Sequence, residues 1–423
     1  MPFEIRDDLE LSSEQQQIVG LAREFAAKEI RPRAREVDDA QTASPLDLWA
    51  KAAEIGLASF MIPAEYGGGG VTDMLTQVLV QEELCHGDIG IGNLLTSSGF
   101  FADPVLELGT EEQKRRWLSP LCGDAPPLTA LAVTEPGHGS DAAGIRTRAV
   151  RVAEDGAAGD HYLLNGQKAW ISNAPYAQRF VVFATVDPAL GAKGVTAFMV
   201  ERDAPGLTVG RPMRKMGQRA IVNAEVFLED VRVPVADRLG DEGQGFLGLM
   251  RTFDASRILI GASCAGLCRA ALDFATDYAR DRVQFGVPII KHQAVAFRLA
   301  DMAVRTDAAH LFAVRAARLF DRGETVTAEA AAAKLVGSEN AMANTWAAVQ
   351  TLGGWGYSQE FLVEKWMRDA KLEEIEEGTS DIQRLVISRA LAKPSARTPA
   401  KTSARTSAKP TAKPSAKPSV ADR

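Results

Sequence analysis

The chain of 423 residues is short of the residues that build metal sites and disulfide frameworks. Its four cysteines, Cys85, Cys122, Cys264 and Cys268, form no CxxC pair, and its five histidines lack zinc-ligand spacing. Cys264 and Cys268 stand four apart in a small-residue helical stretch, which reads as two buried free thiols. No run of about eighteen apolar residues is present, so no membrane-spanning helix is expected. The N-terminus, MPFEIRDDLELSSEQQQ, has acids where a secretory signal has a basic region, and no apolar segment follows. These absences predict a cytoplasmic protein without a metal. Positive charge is also scarce over most of the chain. The net charge is −7, but seven cations against one acid give residues 394–423 a charge of +6, leaving −13 on the rest. An acidic body argues against a nucleic-acid-binding core, because phosphate backbones need clustered cations.

Apolar residues are plentiful, at 46%, enough for a large core in two or three domains. Ser12 and Gln15 predict a capping box, and Ile18, Leu21, Ala22 and Phe25 follow at helical spacing. Pro32 interrupts the pattern, which resumes in LDLWAKAAEIGLASF; PAEYGGGG then predicts a turn with close backbone approach. Near residue 130 the texture becomes β-rich. HYLLNGQKAWISNA places Asn165-Gly166 between two strand-like runs, a hairpin signal, and RFVVFATV, GVTAFMVER and VNAEVFLEDVRVPV are further short strands. From EGQGFLGLM onward, long alanine-rich amphipathic segments predict a helical bundle. The expected fold is therefore α+β and multidomain. An all-α domain over 1–129 precedes an antiparallel β-sandwich or barrel over 130–243 and a four-helix bundle over 244–393. The Ala/Lys/Pro/Ser/Thr tail over 394–423 is expected to be disordered.

Several stretches suit chemistry. In LAVTEPGHGSDAAG, Thr134, Gly137, Gly139 and Ser140 can offer hydroxyls and close amides to a polar ring, or form a structural loop. In KAWISNA, Trp170 and Ser172 share a side by the two-residue period, which suits a flat heterocycle, though such a pair read alone is more often core packing. ARDRVQFGVPIIKHQ carries Arg282, Phe285 and Gln293; a guanidinium there fits a pyrophosphate or a solvated helix end. QTLGGWGY sets Gly353, Gly354 and Gly356 at a helix end, as a cap or a backbone surface for a ligand. KLEEIEEGTSDIQR holds four glutamates, so one of them is a candidate base.

Together, VTEPGHGSD, KAWISN, RVQFG, HQA, QTLGGWGY, VEKWMRDAK and EEGTSDIQR follow one another in the order and spacing of a known family. Over about residues 10–392 the chain resembles the acyl-CoA dehydrogenases, flavoproteins with helical, β-sandwich and helical-bundle domains. The resemblance implies that FAD takes a hydride from the β-carbon of an acyl-CoA thioester while Glu377, directly before Gly-Thr, removes the α-proton. It implies Glu373 and Glu374 as solvated helix positions. It places Leu131, Val133, Thr134, Gly139, Ser140, Trp170, Ile171 and Ser172 against the isoalloxazine, with Ser172 near N5. Arg282, Phe285 and Gln293 correspond to contacts with the FAD diphosphate and adenosine. Gln350, Gly353 and Gly354 correspond to the segment reaching a neighbouring subunit's FAD, completed by Thr379 and Asp381. Ser140, Asp254, Arg257 and Gly378 match positions along the CoA thioester arm. An electron-transfer flavoprotein as acceptor and a homotetramer, or at least a dimer, follow from the same likeness.

Departures from the family pattern carry information. Some members place the base just before an arginine early in the bundle; here Ser256 precedes Arg257, and a serine cannot replace a carboxylate. Glu376 stands where many relatives have tyrosine, either lining the acyl pocket as a substrate-binding group or pointing to solvent. His138 replaces a small residue, Ala220-Ile221 replaces small polar ones, and Phe100 and Phe101 bound the acyl cavity or fill the core. Rival readings are the same chemistry on an acyl-carrier-protein thioester, an oxygen-linked oxidase, and a nucleic-acid-binding flavoprotein using the basic tail.

Overall fold

The computed structural model describes residues 9–153 and 159–392. Among the described residues, seven α-helices come first: α1 (Ser13–Phe25), α2 (Ala34–Asp39), α3 (Leu46–Glu54), α4 (Met74–Gly87), α5 (Ile89–Leu95), α6 (Ser98–Leu108) and α7 (Glu111–Leu118). The capping box of α1 forms as its sequence implies, with Gln15 N–H donating to Ser12 Oγ at 3.2 Å and Ser12 N–H to Gln15 Oε1 at 3.0 Å. Around Pro32, which has no N–H to give, the helix widens to a π turn over Ala26–Ile30 and tightens over Arg31–Arg33.

Eight strands follow: β1 (Thr129–Ala132), β2 (Arg148–Val152), β3 (His161–Ser172), β4 (Arg179–Thr185), β5 (Val195–Glu201), β6 (Leu207–Val209), β7 (Asn223–Pro234) and β8 (Arg238–Leu239). The order β6-β7-β3-β2 forms one half, and β4-β5-β8, with β1 paired to β4, the other. A single parallel pairing, Arg148 with Thr185, joins the halves. Their inner faces share one core, in which the Tyr162 ring meets Phe198 edge-on at 4.9 Å. Most pairings are antiparallel, but β1 runs parallel to β4. The expected Asn165-Gly166 hairpin does not form. Both residues lie inside β3, where the register against β7 shifts between Leu164 and Gly166. Gly166 is needed there because a Cβ would sit 2.6 Å from Thr147 Oγ1, and the Asn165 amide donates to Asp230 at 2.8 Å. The pair marks a bulge, which bends the strand without reversing it.

The C-terminal part contains α8 (Gly245–Asp281), the ribbon β9 (Val283–Gln284) and β10 (Val287–Pro288), α9 (Gln293–Asp321), α10 (Thr327–Leu352), α11 (Gly354–Tyr357), α12 (Val363–Glu373) and α13 (Ser380–Ala392). α8 is long and apolar enough to cross a bilayer by composition, contrary to the expectation that no such run exists, but most of it is buried among its neighbours. Its small residues let helices meet closely: a Cβ on Gly337 of α10 would stand 3.1 Å from Gly261 Cα of α8. Cys264 and Cys268 are buried free thiols, as expected. Phe101 belongs to the core between α6, α7, β4 and β5, and Ala220 is buried among the N-terminal helices.

One buried charge cluster ties the three parts together. Lys365 of α12 binds Asp88, the cap of α5, and Asp369 at 2.6 Å, while Gln218 N–H, from the segment between β6 and β7, donates to Asp369. The α12–α13 turn is built directly beyond this junction. The basic tail, 394–423, lies outside the described residues.

Candidate active site

The turn between α12 and α13 has left-handed backbone at two consecutive residues, Glu377 (φ +47°) and Gly378 (φ +95°). Glycine adopts this region freely; a glutamate there stores roughly 1–3 kcal/mol of strain, which the surrounding contacts must hold. They do so from three helices. Arg257 Nε of α8 donates to the Glu377 carbonyl at 3.2 Å, Lys334 Nζ of α10 to the Gly378 carbonyl at 3.0 Å, and Gln383 Nε2 of α13 to the same carbonyl at 2.8 Å. The turn directs the Glu377 carboxyl onto α8, where the Ser256 hydroxyl donates to Oε2. Burial pushes this carboxyl up to about 8; Ser256, Arg257 and Lys334 oppose the rise and Glu376 adds to it.

The other glutamates divide in a way the sequence reading missed. Glu374 is partly exposed and pairs with Lys371 at 2.6 Å. Glu373 was expected in solvent but is fully buried. It continues the buried face of α12 formed by Trp366, Asp369 and Ala370, as helical spacing dictates. Gln218 Nε2 and Asn93 Nδ2 (3.4 Å) both donate to its Oε1. Glu376, in the turn itself, is partly buried.

Beside Glu377, the Arg257 guanidinium lies 3.7 Å from Asp254 Oδ1, and Thr327 Oγ1 donates to Asp254 Oδ2 at 2.5 Å. Burial raises the Asp254 carboxyl, against Thr327 and Arg257. Asp254 Oδ1 has no hydrogen-bond partner among the described residues. Arg257 is buried and occupied with the turn, so it anchors more than it reaches outward. Thr379 Oγ1 accepts from Ile382 N–H at 3.4 Å, and Asp381 is almost fully exposed.

A second group forms on β3. Trp170 has φ +62° at a register shift, and both Trp170 and Ser172 are exposed while Ile171 is buried between them. The indole, 59% exposed, therefore presents an open face beside a hydroxyl. Asn223 Nδ2 fixes both, donating to Trp170 O at 2.9 Å and to Ser172 Oγ at 3.2 Å. The loop after β1 is pinned against this strand by a buried pair, Lys168 Nζ to Glu135 Oε1 at 2.8 Å. Glu135 also accepts from Thr147 N–H at 2.9 Å and Arg146 N–H at 2.7 Å, Lys168 donates to Val133 O at 3.0 Å, and Ala169 N–H to Thr134 O at 2.9 Å. Burial lowers Lys168 to about 8 despite its partner. Leu131, Val133 and Thr134 thus lie alongside Trp170, with Gly139 and Ser140 exposed at the loop tip and His138 3.8 Å from Asp141.

A third group lines a cavity of about 650 Å³. Arg282 contributes from just beyond α8, Gln284 from β9, and Thr351, Gly353, Gly354 and Trp355 from the junction of α10 and α11. Phe285 is 94% exposed, edge-on to His292 beside Gln293, and Gln350 is exposed nearby in sequence. Arg282 and residues 351–354 therefore line one cavity. An open indole face, a loop of free amides and a guanidinium-lined cavity fit the ring, hydroxyl and diphosphate parts of a flavin dinucleotide. Glu135, Lys168, Asn223 and Lys334 escaped the sequence reading, because nothing in their spacing marks them; Ser256 was read only as unable to be the base, and Glu373 as solvated.

Sequence profiles of the acyl-CoA dehydrogenase N-terminal, middle and C-terminal domains match residues 12–124, 130–231 and 243–392. The chain belongs to the acyl-CoA dehydrogenase family. It is 44% identical over 390 residues to the probable acyl-CoA dehydrogenase YngJ of Bacillus subtilis, covering 91% of this chain and 100% of that protein. Butyryl-CoA dehydrogenase from Megasphaera elsdenii superposes with a TM-score of 0.86 at 38% identity, over 91% of this chain and 100% of that one. A chain from work on the electron transferring flavoprotein of Acidaminococcus fermentans gives 0.86 at 39%, over 92% and 100%. A FAD complex of PigA gives 0.83 at 31%, over 91% and 99%. The family's three-domain fold and its oxidoreductase class are those of this chain.

Proposed function

We propose that the protein is a FAD-dependent acyl-CoA dehydrogenase that introduces an α,β double bond, with Glu377 as the base. The observation that carries this reading is the Glu377 turn, strained, anchored from three helices and aiming a desolvated carboxyl at α8. Removing a proton α to a thioester is difficult at neutral pH, and a base tuned to about 8 is strong enough to do it while still partly ionised at pH 7. Bound FAD supplies the acceptor for the hydride that leaves the β-carbon. Trp170 and Ser172 hold the flavin face and edge, Thr134 and the Gly139–Ser140 amides its polar rim, and Arg282 the diphosphate of a FAD reached across subunits. Asp254 Oδ1, buried, 3.7 Å from Arg257 and without a hydrogen bond among the described residues, accepts one from the thioester arm, to which Gly378 and Ser140 also contribute.

The likeness of the 350–354 segment to the family's contact with a neighbouring subunit's FAD supports an oligomer, which we assign as a homotetramer in the cytoplasm. The likeness to butyryl-CoA dehydrogenase and to the electron transferring flavoprotein work supports a CoA thioester substrate and an electron-transfer flavoprotein as acceptor. The test is anaerobic bleaching of the flavin by a panel of acyl-CoA thioesters. Bleaching by one or a few defines the substrate; no bleaching by CoA thioesters but bleaching by acyl-carrier-protein thioesters moves the substrate to a carrier protein.

A further inference from the structure

The exposed hydroxyl of Ser172 carries one hydrogen, and the residues behind it decide where that hydrogen points. Ser172 ends β3 opposite Asn223, the buried first residue of β7. The Asn223 amide is held by partners that have no choice of role. An ammonium only donates, and Lys215 Nζ stands 2.6 Å from Oδ1. A carbonyl only accepts, and Trp170 O stands 2.9 Å from Nδ2. Turning the amide over would set donor against donor and oxygen against oxygen, so its orientation is fixed. Nδ2 therefore also faces Ser172 Oγ, at 3.2 Å, and there the hydroxyl must accept. Lys215, from the segment between β6 and β7, is equally constrained. It donates as well to Gln218 O at 3.0 Å and Ile221 O at 2.6 Å, so three acceptors use its three N–H groups. Burial lowers it only to about 8, which leaves an ammonium at pH 7. Met213 N–H, donating to Asn223 O at 2.8 Å, holds this segment against β7. Having accepted from Asn223, Ser172 Oγ keeps a hydrogen that no acceptor among the described residues takes, on the exposed side of β3 beside the open indole.

We propose that Asn223 is a positioning residue for the flavin: it makes Ser172 a hydrogen-bond donor toward N5 of the oxidised ring, and Lys215 holds the amide that way round. The proposal rests on FAD lying against Trp170 and Ser172. N5 of an oxidised flavin has a lone pair and no hydrogen, so a hydroxyl turned outward as a donor matches it. A hydroxyl that had given its hydrogen to a neighbour would meet N5 lone pair to lone pair. A donor at the edge that receives the hydride also draws electron density from the ring, which favours that transfer. The same amide holds Trp170 at φ +62°, a left-handed conformation that a bulky residue rarely adopts. One side chain thus sets both the face and the edge offered to the ring.

The test is nitrogen NMR at pH 7 on the protein loaded with oxidised FAD whose ring nitrogens are isotopically labelled. A hydrogen bond received by N5 moves its resonance upfield. Ser172→Ala removes the donor and shifts N5 downfield. Asn223→Asp keeps Ser172 and nearly the same side-chain shape but gives the hydroxyl a carboxylate to donate to. The hydrogen then turns away from the ring, and N5 moves downfield about as far as in Ser172→Ala. Asn223→Ala adds no charge and frees the hydroxyl to rotate, giving a smaller shift in the same direction. N1, on the opposite edge of the ring, stays in place in Ser172→Ala and Asn223→Ala. An N5 resonance that Ser172→Ala leaves in place overturns the proposal. So does one that Ser172→Ala moves while both Asn223 variants leave it in place, or joint movement of N1 and N5 in Asn223→Ala, the mark of a merely structural role. If N5 behaves as expected but no thioester bleaches the flavin, the dehydrogenase reading falls and the assignment of Asn223 stands.

Discussion

Replacing Ser256 with alanine removes the hydroxyl that donates to Glu377 Oε2 and leaves the rest of the turn in place. A hydrogen bond to a carboxylate is worth about 1.5–3 kcal/mol, and part of that is kept by the neutral acid, to which a serine oxygen can also bond. The differential is then about 1.4 kcal/mol, or one pKa unit. The sign follows from the donor's preference for the ionised form: losing it moves Glu377 up from about 8 to roughly 9. The acid limb of the rate of flavin reduction shifts upward with it. At pH 7 the ionised fraction falls from roughly one in ten to one in a hundred, and the rate falls about tenfold. Above the new limb the variant matches or exceeds the wild type, because the base is stronger. Stopped-flow reduction between pH 6 and pH 10 separates the cases. An unmoved limb with an equal loss at every pH would show that Ser256 only orients Glu377, and a downward shift would refute the assignment of the hydroxyl as a donor.

Glu377→Gln should keep bound FAD but lose turnover by several orders of magnitude. The same variant tests linkage. A carboxyl raised on folding stabilises the protein below its unfolded value of 4.5 and loses that contribution as pH rises through about 8. Thermal melts of Glu377→Gln should therefore fall less than wild type between pH 5 and pH 9; parallel melts would argue against a desolvated Glu377. Lys168→Met strands the Glu135 carboxylate, at a cost of about 3–5 kcal/mol, and frees the loop after β1. It should lower the melting temperature and release FAD on gel filtration, and normal FAD content would count against that loop's role. Asp254→Asn should raise KM for the thioester about tenfold, the equivalent of ~1.4 kcal/mol, with kcat little changed. A fall in kcat at constant KM would exclude Asp254 from ground-state binding of the thioester arm.

The helix–sheet–helix order was legible because hydrophobic period changes near residues 130 and 245, and period reports which face is buried. Pairing was not legible, because it depends on distant partners. Asn165-Gly166 has the composition of a turn, yet the approach of Thr147 and the reach of Asn165 to Asp230 make it a bulge within one strand. Glu373 shows the converse difficulty. Four glutamates within five residues look like a solvated face, but α12 is buried along 366, 369, 370 and 373, and a polar pocket from Asn93 and Gln218 receives the last of them.

The site itself divides along the same line. Glu377, Trp170, Ser172 and Arg282 sit in short motifs, so local sequence suffices to propose them. Their environment does not come from the motifs. The proposed base is tuned by Ser256 and Arg257 of α8, Lys334 of α10 and Glu376 of its own turn. Ser256 is instructive because its lack of a carboxylate argues only that it is not the base. In the fold that same position touches the base, and its hydroxyl opposes the rise that burial imposes on Glu377. The two residues converge on one point because α8 passes under the α12–α13 turn. A carboxylate at 256 would therefore face Glu377 directly, and the like charges would force one to hold a proton. One carboxylate and one hydroxyl at that point give a single ionisable base with a donor to stabilise it, the arrangement that removing one α-proton requires.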